Sequence, residues 1–292
     1  MKLLTQLFDR NNLDRLSEYA DGFILGNDQF GTRLAHSFSL EELTLLISLI
    51  KSKGKQVFLM CNQLFTDDQL ERLEPFLSQC PQSSLDGIII GDIGALAILD
   101  RLNMKHLAVY HPETLLTHVH DFNFFSEEGL LGAFVAKEIT LDAILAIGMN
   151  KSYKLFMMGH GHLNMFYSKR HLIDNFARYV HLDAHFESRQ DLRIIEEMRP
   201  NEAYPILEDH AGTHVFRSSV MASIKHMEPL KKTVDYMVID SLFKDDLYAY
   251  KMLFMYQNGY DIALQTWAEE TYKERWDEGF LFTPTIYKQK KE

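Results

Sequence analysis

Only two cysteines, Cys61 and Cys80, occur in 292 residues. Their spacing makes no metal pair, and two thiols are no disulfide framework for a chain this long. A reducing, cytoplasmic setting is expected. Basic blocks are also missing, apart from the terminal "YKQKKE", and the formal net charge is −11. A protein that grips nucleic acid alone usually presents a basic face, so tight, independent RNA binding is not expected. No run approaches the roughly 20 apolar residues of a membrane helix. The opening "MKLLTQLFDRNNLDRL" breaks into charges too soon for a secretory signal. No membrane association is expected. Linker-like Pro/Gly/Ser tracts, low-complexity segments and obvious repeats are absent as well. A single domain over 1–292 is therefore the expectation.

What is present is a rhythm. Short apolar runs recur at "GFILG" (22–26), "QVFLM" (56–60), "DGIIIG" (86–91), "KHLAVY" (105–110), "LGAFVA" (131–136), "YKLFMMG" (153–159) and "DYMVID" (235–240). They are continuous rather than alternating, the pattern of strands buried on both faces. Helix patterns lie between them. Ser39 with Glu42, and Thr66 with Gln69, have the spacing of capping boxes, and Thr140 opens a third helix. Strand–helix alternation of this kind gives parallel βαβ units. Six or seven of them predict an α/β fold, a closed or nearly closed (β/α) TIM-like barrel. No Gly-rich dinucleotide fingerprint follows the first run, which speaks against an open nucleotide-binding sheet. Residues 181–217 break the rhythm. "DLRIIEEM", "AYPILED" and "THVFRS" read as three short strands around a turn at Gly212, a small antiparallel β insertion on the barrel rim.

In a barrel the chemistry sits at the carboxyl ends of the strands. The polar residues there include Asn62, His111 with Glu113, Lys137 with Glu138, and His160 with His162. In an extended strand His160 and His162 would point the same way. Zinc would need a third ligand, from His111, Glu113 or Glu138. The other reading has one histidine bonding at the mouth and the second lining a turn. Tyr167 joins His160, His162 and Glu138 as a catalytic candidate. "YSKR" reads as an anion-binding turn, with Ser168 capping a helix whose first turn carries Lys169 and Arg170. Alternatively, both cations simply pair with surface carboxylates.

The stretch "HGHLNMFYSKRHL", with "GDIGALAIL", "AKEITLDAI", "YPILEDHAGTHVF" and the late "GFLF", resembles the U32 family, known as collagenase-like peptidases. The resemblance runs over nearly the whole chain. Length and "RPNEAYPILEDHAGTH" are most similar to a short Bacillus-type branch that works beside a longer paralogue in tRNA hydroxylation. Three functions follow from it. One is a component of wobble-uridine hydroxylation that uses prephenate as hydroxyl source. The second is a metallopeptidase built on His160, His162 and a divalent metal, with Glu138 as base. The third is a non-catalytic binding subunit. Many members carry an iron–sulfur cluster on four cysteines. The two motif cysteines would fall at Asn164 and His171, so the resemblance implies no cluster on this chain. It also implies a longer cluster-bearing partner, tRNA met through the complex, and a small carboxylate metabolite in a pocket.

Overall fold

In the computed structural model, which describes residues 1–284, eight parallel strands close into a barrel. They are β1 (Lys2–Gln6), β2 (Gly22–Gly26), β3 (Gln56–Cys61), β4 (Gly87–Ile90), β5 (Ala108–Tyr110), β6 (Gly132–Phe134), the first half of β7 (Lys154–Ser168), and β11 (Tyr236–Ile239). Strand β11 pairs with both β1 and β7, which completes the ring. The chain is therefore an α/β barrel of the expected kind. The tail "YKQKKE" lies outside the described residues.

Helices α1 (Leu13–Leu16), α2 (Leu40–Ser52), α3 (Asp67–Gln79), α4 (Gly94–Arg101), α5 (Val119–Glu127) and α6 (Leu141–Asn150) follow β1 to β6 in turn. The caps read from sequence are in place. The Ser39 and Thr66 amides donate to Glu42 and Gln69 at 2.8 Å each, and Thr140 accepts from the Ala143 amide at 3.3 Å. Leu43, Leu46, Ile47 and Ile50 form the buried stripe of α2.

Large aromatics plug the amino end of the barrel. Phe156 stacks on Tyr236 with ring centroids 4.4 Å apart, and Phe58 meets both edge-on. Such rings need empty space opposite. A Cβ on Gly87 would lie 2.7 Å from Phe58, and one on Gly132 2.8 Å from Phe156. The apolar plug leaves the carboxyl end as the place for polar groups.

Strand β7 is 15 residues long because its second half leaves the barrel. It pairs antiparallel with β10 (Gly212–Ala222), which pairs with β9 (Arg199–Asp209), and β9 with β8 (Arg193–Glu196). This apron is the insertion read from sequence, and it stands over the barrel mouth. Helix α7 (Leu172–Tyr179) precedes it and α8 (Met227–Thr233) follows. After β11 come α9 (Asp246–Asn258), α10 (Ile262–Tyr272) and β12 (Trp276–Asp277), a two-residue strand beside β10.

Candidate functional site

The mouth is built from strand ends. Gln6 ends β1, Asn62 follows β3, His111 and Glu113 follow β5, Lys137 follows β6, and Asp240 follows β11. Arg33 reaches in from the loop between β2 and α2. These residues line a cavity of about 300 Å³ and a deeper recess of about 60 Å³ that runs down to Ile24, Met60 and Val238.

Glu113 is the hub. Its carboxylate pairs with the Arg33 guanidinium and accepts from Lys137 Nζ at 2.7 Å. The Arg33 and Lys137 side chains are only 14% and 10% exposed, so screening by water is weak. Burial pushes the Glu113 pKa up, but Arg33, His111 and Lys137 outweigh it and hold the carboxyl well below its usual range. Arg33 and Glu113 both have left-handed backbones, with φ of 59° and 65°. Side chains other than glycine's rarely adopt that region, and such strain gathers at functional sites.

His111 stacks on Phe134 at 4.0 Å, and its Nε2 lies 4.0 Å from Glu113. Burial lowers its pKa to about 4, with Arg33 and Lys137 adding to the effect. It is a neutral imidazole near pH 7. Asp240 goes the other way. Burial raises its pKa to about 6, although Leu242 N and Gln6 Nε2 donate to it at 3.2 and 3.3 Å.

The apron supplies the far wall. Asp209, at the end of β9, accepts from Thr32 Oγ1 at 2.7 Å and from the Arg33 amide at 2.9 Å. It thereby ties the insertion to the loop that carries Arg33. Burial alone would raise its pKa, but His214, Arg33 N and Thr32 bring it down to about 2. Sequence reading missed Thr32, Arg33, Asp209 and His214. Arg33 sits seven residues past its strand, and the other contacts exist only once the apron folds back.

The structure separates the "HGH" histidines. His162 lines the mouth recess and bonds the Arg217 carbonyl at 2.8 Å through Nδ1. His160 faces the helices instead, with Nε2 2.7 Å from Tyr248 Oη and Nδ1 3.4 Å from Tyr256 Oη. The expected alternation fails because Gly159 is an extra residue in the pairing with β11 and Gly161 has φ of 136°. A bulge of this kind re-aims the next side chain. Glu138 does not line the mouth either. No group of three or more His, Cys, Asp or Glu among the described residues is placed to hold a metal ion. Tyr167 does line the larger cavity, and its hydroxyl donates to the Ala211 carbonyl at 2.8 Å.

The expected anion-binding turn is already filled from within. Ser168 ends β7 instead of capping a helix, since pairing with Thr213 of β10 keeps it extended. Helix α7 starts at Leu172. Its first amides, on Leu172, Ile173 and Asp174, donate to Thr213 Oγ1 and to both oxygens of buried Glu208 at 2.8–2.9 Å. Lys169 and Arg170 are exposed and lie outside the mouth.

An iron–sulfur cluster does not fit the residues of this chain. Cys61 is fully buried in β3, Cys80 ends α3, and burial raises both thiol pKa values. Asn164 lines the cavity and His171 caps α7, and neither offers a thiolate.

Comparison with known proteins places this geometry. Over 304 aligned residues the chain is 26% identical to tRNA hydroxylation protein P2 of Bacillus subtilis (strain 168), covering 98% of each. It is 22% identical over 157 residues to tRNA hydroxylation protein P1 of the same organism, covering 53% of this chain and 37% of that one. Among solved structures, the U32 peptidase Mk0906 aligns with a TM-score of 0.51 at 15% identity, over 82% of this chain and 92% of its own. The model for peptidase family U32 matches residues 12–283. With that span taking in every barrel strand but β1, together with the apron and all of the mouth residues named above except Gln6, the chain belongs to peptidase family U32.

Proposed function

We propose that this chain is a cytoplasmic component of prephenate-dependent 5-hydroxylation of wobble uridine in tRNA, acting beside a longer, cluster-bearing paralogue. The observation that carries the reading is end-to-end similarity to tRNA hydroxylation protein P2, in a chain whose barrel mouth keeps a buried, charged constellation. Arg33 and Lys137 offer two cations to a metabolite carboxylate such as prephenate's, held now by Glu113. Asn62 and His111 add hydrogen-bonding groups beside them. What this chain lacks falls to the partner. With no thiols at Asn164 and His171, the partner supplies the cluster. With a net charge of −11, this chain leaves most of the phosphate contacts to the partner too.

Nucleoside mass spectrometry of tRNA from a deletion strain tests the reading. Loss of 5-hydroxyuridine, restored by the intact gene, is expected, and affinity purification of the tagged chain should bring down the longer paralogue. A deletion strain with unchanged 5-hydroxyuridine would overturn it.

A further inference from the structure

Gly161 brings β7 and β11 together at the mouth. A Cβ there would lie 2.9 Å from the Asp240 Cβ, and the Asp240 amide donates to the His160 carbonyl at 2.9 Å. With no side chain between them, Asp240 and His162 line the same recess of about 60 Å³, where they are 9% and 6% exposed. That recess is the floor of the larger cavity, since Arg33, Glu113 and Lys137 line both.

The fold fixes one polar atom of each side chain and leaves the other open. His162 Nδ1 bonds the Arg217 carbonyl at 2.8 Å, so it carries the hydrogen and Nε2 keeps its lone pair. Asp240 Oδ1 accepts from Gln6 Nε2 at 3.3 Å and Leu242 N at 3.2 Å. The Gln6 amide cannot flip, because its Oε1 accepts from the Ala35 amide at 2.8 Å. Among the described residues neither His162 Nε2 nor Asp240 Oδ2 finds a hydrogen-bond partner, and neither is one of the polar atoms sealed from solvent. Both therefore open onto the recess that their side chains line.

Water takes about 30 Å³ per molecule in the liquid, so the recess admits one small substituent. A carboxylate there would face Asp240. An ammonium would face Arg33, Lys244, Arg193 and Arg217, whose charges already lower the pKa of Asp240 or His162. A neutral hydroxyl avoids both conflicts. It brings a single hydrogen, which cannot serve two lone-pair atoms, so one of the two must itself carry a proton. Burial and the Lys244 charge lower the His162 pKa to about 3, whereas burial raises that of Asp240 to about 6. Asp240 is the easier to protonate.

We propose that the recess is a hydroxyl subsite, in which Asp240 in its acid form donates to the ligand oxygen while His162 Nε2 accepts the hydroxyl hydrogen. The ligand class is a small carboxylate that also carries a hydroxyl, with the carboxylate on Arg33 and Lys137. The proposal rests on the functional reading above, on which that ligand is prephenate, whose ring bears one hydroxyl. Binding then takes up one proton, and nothing is oxidised or reduced. The other titratable or charged groups of the recess are His162 from β7, His111 and Glu113 after β5, Lys137 after β6 and Arg33 after β2, while β1 offers only the neutral Gln6. His111, His162 and Glu113 all titrate below pH 7, which leaves Asp240 as the group that gains the proton.

Calorimetry on the full chain at pH 7 and pH 8.5 tests it, with prephenate and with phenylpyruvate, a carboxylate that lacks the ring hydroxyl. The prephenate Kd should rise by roughly tenfold per pH unit, since the proton must come from an ever scarcer supply. The phenylpyruvate Kd should stay within about threefold. In Asp240→Asn, Gln6 and Leu242 hold the amide oxygen at the Oδ1 position and turn Nδ2 into the recess as a permanent donor. That variant should bind prephenate with no pH dependence, and more tightly than the native chain at pH 8.5. A prephenate Kd that is flat with pH in the native chain overturns the proposal, as does no measurable prephenate binding. An equal weakening of both acids overturns it too, because the titration then belongs to the carboxylate clamp. The native slope persisting in Asp240→Asn is a third contrary result, and the native-chain comparison decides without the variant. Each of these leaves the functional reading standing. Unchanged 5-hydroxyuridine in the deletion strain overturns that reading and the prephenate assignment with it.

Discussion

Glu113→Gln separates stability from binding at the mouth. The carboxylate faces two cations, one of them Lys137 at 2.7 Å. At an effective dielectric of about 20, one such contact is worth roughly 6 kcal/mol of Coulomb energy before desolvation. Removing one partner of a buried pair costs about 3–5 kcal/mol net. The Glu113 side chain keeps 27% exposure, so the lower end, about 3 kcal/mol, is expected. For a chain of this size that is a fall of about 6 °C in melting temperature. Binding should move in the opposite direction. The variant leaves Arg33 and Lys137 without their carboxylate, and a ligand carboxylate can take its place. Thermal scans of both proteins with and without prephenate read both effects. The ligand-induced gain in melting temperature should be larger in Glu113→Gln than in the native chain. A variant that melts within 1 °C of the native protein would refute the buried counter-ion. An equal or smaller ligand gain would refute the carboxylate clamp.

Asp240 predicts an unusual pH dependence. Its pKa rises from 3.8 to about 6 on folding, so between those values the native state holds more protons than the unfolded chain. Its contribution therefore lowers stability as pH climbs from about 4 to 6, by about 3 kcal/mol, with nothing recovered above. Asp240→Asn should flatten that part of a urea stability–pH curve, and an unchanged slope would contradict it. Glu208→Ala should loosen α7 by about 2 kcal/mol, since charge-assisted bonds to the Ile173 and Asp174 amides are lost. Faster hydrogen exchange at those amides is the readout. Lys169→Ala with Arg170→Ala should leave prephenate affinity unchanged by calorimetry, because the helix start beside them is closed by Glu208.

Much of the barrel was legible in the sequence because buried parallel strands read as apolar runs. Strand β1 was not, since "KLLTQ" is short and ends in Thr5 and Gln6, whose polar groups turn to the Ile239 carbonyl, the Arg33 carbonyl and Asp240. The mouth was legible only where residues follow strands directly, as Asn62, His111, Glu113 and Lys137 do. His160 was misplaced because a two-residue alternation holds for a regular strand, and the Gly159–Gly161 bulge is not regular. Ser168 looks like a cap in isolation, and only long-range pairing with Thr213 makes it a strand end. Asp209 and His214 lie about 180 residues from Thr32, so no local pattern joins them.

The central claim is that the mouth of this chain serves tRNA hydroxylation. Arg33→Ala with Lys137→Ala, expressed in the deletion strain at native levels, tests it most directly through the 5-hydroxyuridine content of total tRNA. The account predicts a folded protein of lowered melting temperature, since Glu113 loses both counter-ions, that leaves the tRNA as poor in 5-hydroxyuridine as the deletion does. Restoration to the wild-type level by that double variant would contradict it.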